Sequence, residues 1–165
     1  MFELKPLPPD RIAEALDRAQ RYRLLNEPDN AESICLDVLE VEPEHQEALV
    51  LLLLSRTDLF NRGIPHSVTR AREVLPRLKS DYARAYYHGI ICERKGKYLL
   101  TQRGQRSCFV AYDWFRHAME QYEIAAELDS TSHDPILRWN TCARLIDRNP
   151  HCIPEPSDQE EHGLE

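Results

Sequence analysis

The chain is predicted to be all-α, on three observations. It has only five glycines in 165 residues and is rich in Ala, Leu, Glu and Arg, which favours helix over sheet. Apolar residues recur three and four positions apart in segment after segment, the spacing of one helical stripe. Proline and glycine fall between those segments rather than inside most of them.

Residues 1–9 read as an extended lead-in with Pro6, Pro8 and Pro9. A first helix is predicted from about Asp10 to Asn26, with Ile12, Leu16, Ala19 and Tyr22 on one face. Pro28 suits the start of a second helix, where its missing N–H is harmless, and Pro43 ends it. A third helix, about Glu44 to Asn61, is apolar nearly all round at its centre and should be buried on several sides. Gly63 is its natural cap. A fourth, shorter helix runs from Pro65 to about Leu75. Ser80 caps a fifth that ends at Lys95 before Gly96. KYLLTQRGQRS reads as a loop, followed by a sixth helix over Cys108 to Asp129. Asp134 is the expected N-cap of a seventh, stopped by Pro150. The tail 150–165 has five acidic residues and no Lys or Arg, and is expected to be disordered.

The stretch Asp29 to Pro43 is the unit that recurs. Ala31, Cys35, Val38 and Pro43 follow steps of four, three and five, as do Ala118, Tyr122, Ala125 and Ser130. Ala19 lies twelve residues before Ala31 and Leu53 lies 22 after it, a period of 34. From Ala118 the same step of 22 lands on Asn140. This resembles the tetratricopeptide repeat: 34 residues, two antiparallel helices, small residues where they cross. The signature sits at Ala19, Tyr22, Ala31, Cys35, Val38 and Pro43 in the first repeat, and at Gly89, Ala118, Tyr122 and Ala125 in the third, where Ser130 replaces the proline. The middle repeat departs from the pattern. Keeping Gly89 in phase puts Ser67, Ala71 and Val74 on the stripe; starting from Ala71 gives Leu75 and Leu78 instead. The first register is preferred because Pro65 then opens a helix. The third repeat carries an insertion of about 17 residues between Gly89 and Ala118. The resemblance implies a right-handed α-α superhelix over residues 10–149, with repeats at about 12–45, 46–80 and 82–132 and a capping helix at 134–149.

Charge and cysteine usage bound the function. A net charge of −7 argues against nucleic acid as the main partner. Five cysteines without a close pair read as reduced thiols, hence an expected cytoplasmic location. No secretory leader is evident, and the longest apolar run, Ala48 to Leu54, is far short of a membrane span. None of the seven histidines lies in a metal-ligand motif, so no metal or cofactor is expected. His88 and Cys92 are four apart on one helix, which suits a helix histidine beside a core thiol better than a catalytic pair. His151-Cys152 falls in the tail. No Gly-rich phosphate loop is present, and an enzyme is not expected.

What the resemblance implies instead is a concave groove lined by the first helix of each pair. Carried onto this sequence, the groove positions are Asp17, Gln20 and Arg23; Glu47, Val50 and Leu54; Tyr86, Tyr87, Ile90 and Arg94; and Arg138, Thr141 and Arg144. The carboxylate clamp of the family's chaperone-binding members is absent, since its places hold Leu16, Gln20, Leu51, Ala83 and Tyr87. Asp17 and Glu47 would also repel a carboxylate at that end. The expected function is therefore a non-catalytic interaction module for a protein or peptide partner, an adaptor or assembly subunit. Tyr is well suited to such a surface. The competing expectation is an anion or nucleic-acid site in the basic segment Arg94, Lys95, Lys97, Arg103 and Arg106, although a solvated loop explains those charges too. Self-association through the apolar third helix or an uncovered end is a further possibility.

Overall fold

The computed structural model describes residues 2–156. Among them there are seven α-helices and no strand: α1 (Ile12–Leu24), α2 (Pro28–Val41), α3 (Gln46–Asp58), α4 (Ser67–Arg72), α5 (Asp81–Leu100), α6 (Gln105–Leu128) and α7 (Asp134–Asp147). Short 3-10 turns at Pro9–Arg11, Leu59–Arg62 and Leu75–Arg77 flank α1, α3 and α4. No helix among the described residues is long and apolar enough to cross a membrane.

Local chemistry explains most boundaries. α1 ends where Asn26 turns left-handed at φ 61°, a conformation that Asn tolerates well. Pro28 stands at the first position of α2. Ser80 caps α5, its side chain accepting the Ala83 N–H at 3.2 Å. Gly63, at φ 64°, closes the 3-10 turn after α3. Asp134, expected as the N-cap of α7, is instead its first residue; His133 occupies the cap and makes no side-chain capping bond. α4 is shorter than expected, because Pro65 and a left-handed His66 at φ 61° precede its start at Ser67. Within α4 and just beyond it, Ala71 and Val74 are buried and Ser67 is half-buried, while Leu78 is buried as well.

Consecutive helices pack on one another, and α1, α3 and α5 also touch in series. Small residues mark the crossings: Ala19, Ala31, Ala118 and Ala125 have no exposed surface. Ala31→Leu is therefore expected to overpack its crossing and to destabilise the fold by about 1–3 kcal/mol. Thermal denaturation checks this, and an unchanged melting temperature would count against it.

The largest departure from expectation is the segment 96–107. It is not a loop. α5 continues through Gly96 to Leu100, and α6 begins at Gln105 after a turn of four residues. Gly96 does not stop the helix because it faces α6: a Cβ there would lie 2.9 Å from the Phe115 ring. About two turns earlier, a Cβ at Gly89 would lie 2.5 Å from the Tyr122 ring. The two glycines run forward as the two aromatics run backward, so α5 and α6 form an antiparallel hairpin in ring-on-backbone contact. The insertion lengthens this hairpin.

The core is divided. One cluster joins α1 to α4 and includes Ile91 of α5; the other joins α5 to α7 and includes Ile90. Among the described residues, only two hydrophobic side chains, the partly buried Leu54 and Tyr87, pack against both. The tail was expected to be disordered from residue 150, but its first residues pack on the protein. Cys152 is 1% exposed, packs in the second cluster, and its N–H donates to the Asn149 carbonyl at 2.8 Å. Residues 157–165 lie outside the described residues.

Candidate functional site

The expected groove positions fall into three groups. Gln20, Glu47 and Thr141 are exposed, as are Asp17 and Arg144. Val50, Leu54, Tyr86 and Tyr87 are half-buried. Ile90, expected to line the groove, is 2% exposed and belongs to the core of the C-terminal half. Its place on α5 faces α6 and α7, which the repeat pattern alone did not separate from the groove side.

The three arginines Arg23, Arg94 and Arg138 are half-buried. They were expected among the groove positions, and each is held by a carboxylate. Arg23 from α1 donates through Nε and Nη2 to Asp58 of α3, at 2.8 and 3.4 Å. Arg94 from α5 donates to the same Asp58 carboxylate, and to Thr57 Oγ1 at 2.7 Å. Asp58 thus ties α1, α3 and α5 together. Burial pushes the Arg94 guanidinium below its ordinary value, and Asp58 acts against that shift.

Arg138 from α7 reaches the Glu93 carboxylate at 3.0 Å and the Tyr86 hydroxyl at 3.0 Å. Glu93 is 1% exposed. It also accepts the Tyr122 hydroxyl of α6 at 2.6 Å and an N–H of Lys97. Burial opposes its ionisation, yet the hydrogen bonds from Lys97 and Tyr122 and the Arg138 charge hold its carboxyl below the usual range. Arg138 shows the reverse effect: burial opposes its charge, but Glu93 keeps the guanidinium above its ordinary value. The tyrosines are fixed by this network. Tyr82 and Tyr86 stack at 5.7 Å, and Tyr86 meets Tyr87 edge-on at 5.2 Å. Tyr82 is held in turn by Ser132 at 2.8 Å.

The result is a band across α1, α3, α5 and α7 in which aromatic rings and arginines are pre-positioned. It is a face rather than a pocket. Surface depressions lie beside Asp17 on α1, between residues 4–7 and α2, and between residues 63–69 and Tyr98 and Trp114.

The chain matches no protein-family model, no curated protein and no solved structure. The band therefore has to be read from its own chemistry.

The expected basic segment is dispersed. Arg94 and Lys97 are committed to Asp58 and Glu93, and Lys95 lies over the Tyr98 ring at 4.7 Å. Arg103 and Arg106 are exposed around the hairpin turn. The pair His88 and Cys92 is also clarified. Cys92 is buried and its thiol is pushed up to about 11, chiefly by desolvation, which disfavours the thiolate. His88 is shifted down, by burial first and by Arg72 second.

Asp58 and Glu93 are the residues that sequence reasoning missed. A signal for Glu93 was present. It follows Ile90, Ile91 and Cys92 on a helix whose apolar faces leave no room for a solvated carboxylate.

Proposed function

We propose that this chain is a tetratricopeptide-like helical-repeat module with no catalytic role, an adaptor or assembly subunit that binds a protein or peptide partner. The partner lies on the band formed by α1, α3, α5 and α7. The observation that carries the reading is the fixed aromatic and arginine arrangement of Tyr82, Tyr86, Tyr87, Arg23, Arg94 and Arg138. Residues of these types dominate interfaces, and side chains held before binding lose little entropy on binding. The small-residue crossings and the 34-residue period support the repeat reading. The basic segment is the weaker alternative, because two of its five cations already serve internal carboxylates.

The test uses positions that touch the band without holding it together. Gln20, Glu47 and Thr141 are exposed, so Gln20→Arg, Glu47→Arg and Thr141→Arg together should leave melting unchanged. A partner captured from cell extract by the wild-type chain is expected to be lost by the triple variant. Retention of every captured protein, with the fold intact, would overturn the reading.

A further inference from the structure

The five cysteines are all free thiols, and they differ in access. Cys35, Cys92, Cys142 and Cys152 are buried, whereas Cys108, in the first turn of α6, is half-buried. We propose that Cys108 and Cys152 form a reversible disulfide under peroxide, a redox latch that fastens the segment after α7 to the start of α6. The latch lies away from the band and does not depend on the band being a binding face.

The register of α6 and α7 brings the two thiols together. The helices are joined by a short turn and run antiparallel, with Trp139 Nε1 donating to Glu123 at 2.8 Å. Cys108 lies fifteen residues before Glu123 and Cys152 thirteen after Trp139, so the same register carries Cys152 to the level of Cys108. The chain leaving α7 is held there by its own backbone. The Asn149 N–H donates to the Ile146 carbonyl at 3.0 Å, and the Cys152 N–H to the Asn149 carbonyl at 2.8 Å. Cys152 joins the core cluster that contains Ala111 and Phe115. Cys108 stands three residues before Ala111 and seven before Phe115, on the same face of α6. Burial pushes the Cys152 thiol up to about 11, and Cys108 beside it adds to that shift. Cys92 and Cys142 belong to the same cluster but are 1% and 0% exposed, closed to an oxidant in water.

Hydrogen peroxide is the oxidant, and it meets Cys108 first because that thiol alone keeps appreciable surface. The Cys108 thiolate attacks one peroxide oxygen, the O–O bond breaks and hydroxide leaves, so Cys108 becomes a sulfenic acid. The Cys152 sulfur then attacks the Cys108 sulfur, the S–O bond breaks and a second hydroxide leaves. The two hydroxides take up the two thiol protons. Two thiols are thereby oxidised to one disulfide, and one peroxide is reduced to two waters. The covalent ring runs through α6 and α7, so the end of α7 cannot leave the C-terminal core until the bond is reduced.

The test treats the full chain with hydrogen peroxide under native conditions and reads its intact mass and non-reducing tryptic map by mass spectrometry. The expected product is a chain lighter by two hydrogens, with one linked peptide pair that joins Cys108 to Cys152 and is released by dithiothreitol. Cys152→Ser should lose the link and stop at a Cys108 sulfenic acid that dimedone captures. Cys108→Ser should lose the link and leave Cys152 reduced. The wild-type map decides the matter by itself if either variant fails to fold. Oxidation should also slow amide exchange at Cys152 by about tenfold or more. No reaction, Cys108 oxidised to sulfinic acid without a link, a link to any other cysteine or to a second chain, or a link that forms only in urea would overturn the inference. So would equal exchange at Cys152 in the reduced and oxidised chains.

Discussion

Gly89→Ala is expected to destabilise the protein by about 1–3 kcal/mol, although the same change in an ordinary helix interior stabilises by up to about 1 kcal/mol. The sign is the test. The new methyl would sit 2.5 Å from Cε1 and 2.7 Å from Cδ1 of Tyr122. The ring has no route of retreat, since Tyr122 is fully buried and its hydroxyl is held by Glu93 at 2.6 Å. Gly96→Ala should behave alike against Phe115, with its Cβ 2.9–3.0 Å from that ring. Thermal melts followed by circular dichroism decide the matter. At this chain length a loss of about 2 kcal/mol lowers the midpoint by roughly 4–8 °C. A raised midpoint for Gly89→Ala would mean that α5 and α6 do not pack as described.

Glu93→Ala should lower stability by about 2–3 kcal/mol at neutral pH. The carboxylate is 1% exposed, and its removal leaves the Tyr122 hydroxyl without its acceptor and two cations without their counter-charge. The figure stays below that for a fully buried pair, because the Lys97 and Arg138 side chains keep 43% and 32% of their surface and can be re-solvated. Glu93 also predicts a pH signature. Its folded value lies below the ordinary 4.5, so its stabilisation is complete above that value in the unfolded chain. The contribution is lost as pH falls through the lower folded value. Denaturation midpoints between pH 7 and about 3 should therefore fall less steeply for Glu93→Gln than for the wild type. Parallel curves would remove Glu93 from the ionised network.

The helices were legible where periodicity and punctuation agreed. Pro28, Pro43, Gly63 and Ser80 mark ends that the structure keeps within a few residues. Gly96 misled because a glycine after a helical stripe reads as a stop, whereas here it is an approach site for a ring. The clue was a pattern across two helices, Gly89 and Gly96 against Phe115 and Tyr122, each pair seven residues apart. A reading of one helix at a time does not see it. The arginines of the band and its Tyr86 and Tyr87 were named from the sequence, but Ile90 is core and the pairing of the arginines was not legible. Arg23, Arg94 and Arg138 were identified, but their partners lie 35, 36 and 45 residues away, and no local rule pairs them. Cys152 was missed for a related reason. A proline-rich acidic stretch conceals one apolar side chain that the second core takes in.

The divided core has a consequence for how the molecule opens. With Leu54 and Tyr87 the only hydrophobic side chains among the described residues packed against both clusters, the apolar seam between α1–α4 and α5–α7 is thinner than either half. Such seams bound cooperative opening units. The Asp58 and Glu93 bridges sit on either side of it, and Asp58 crosses it through Arg94. A ligand laid over Tyr87 would touch both halves at once and would act as a clasp, slowing amide exchange in the two halves together rather than only beneath itself.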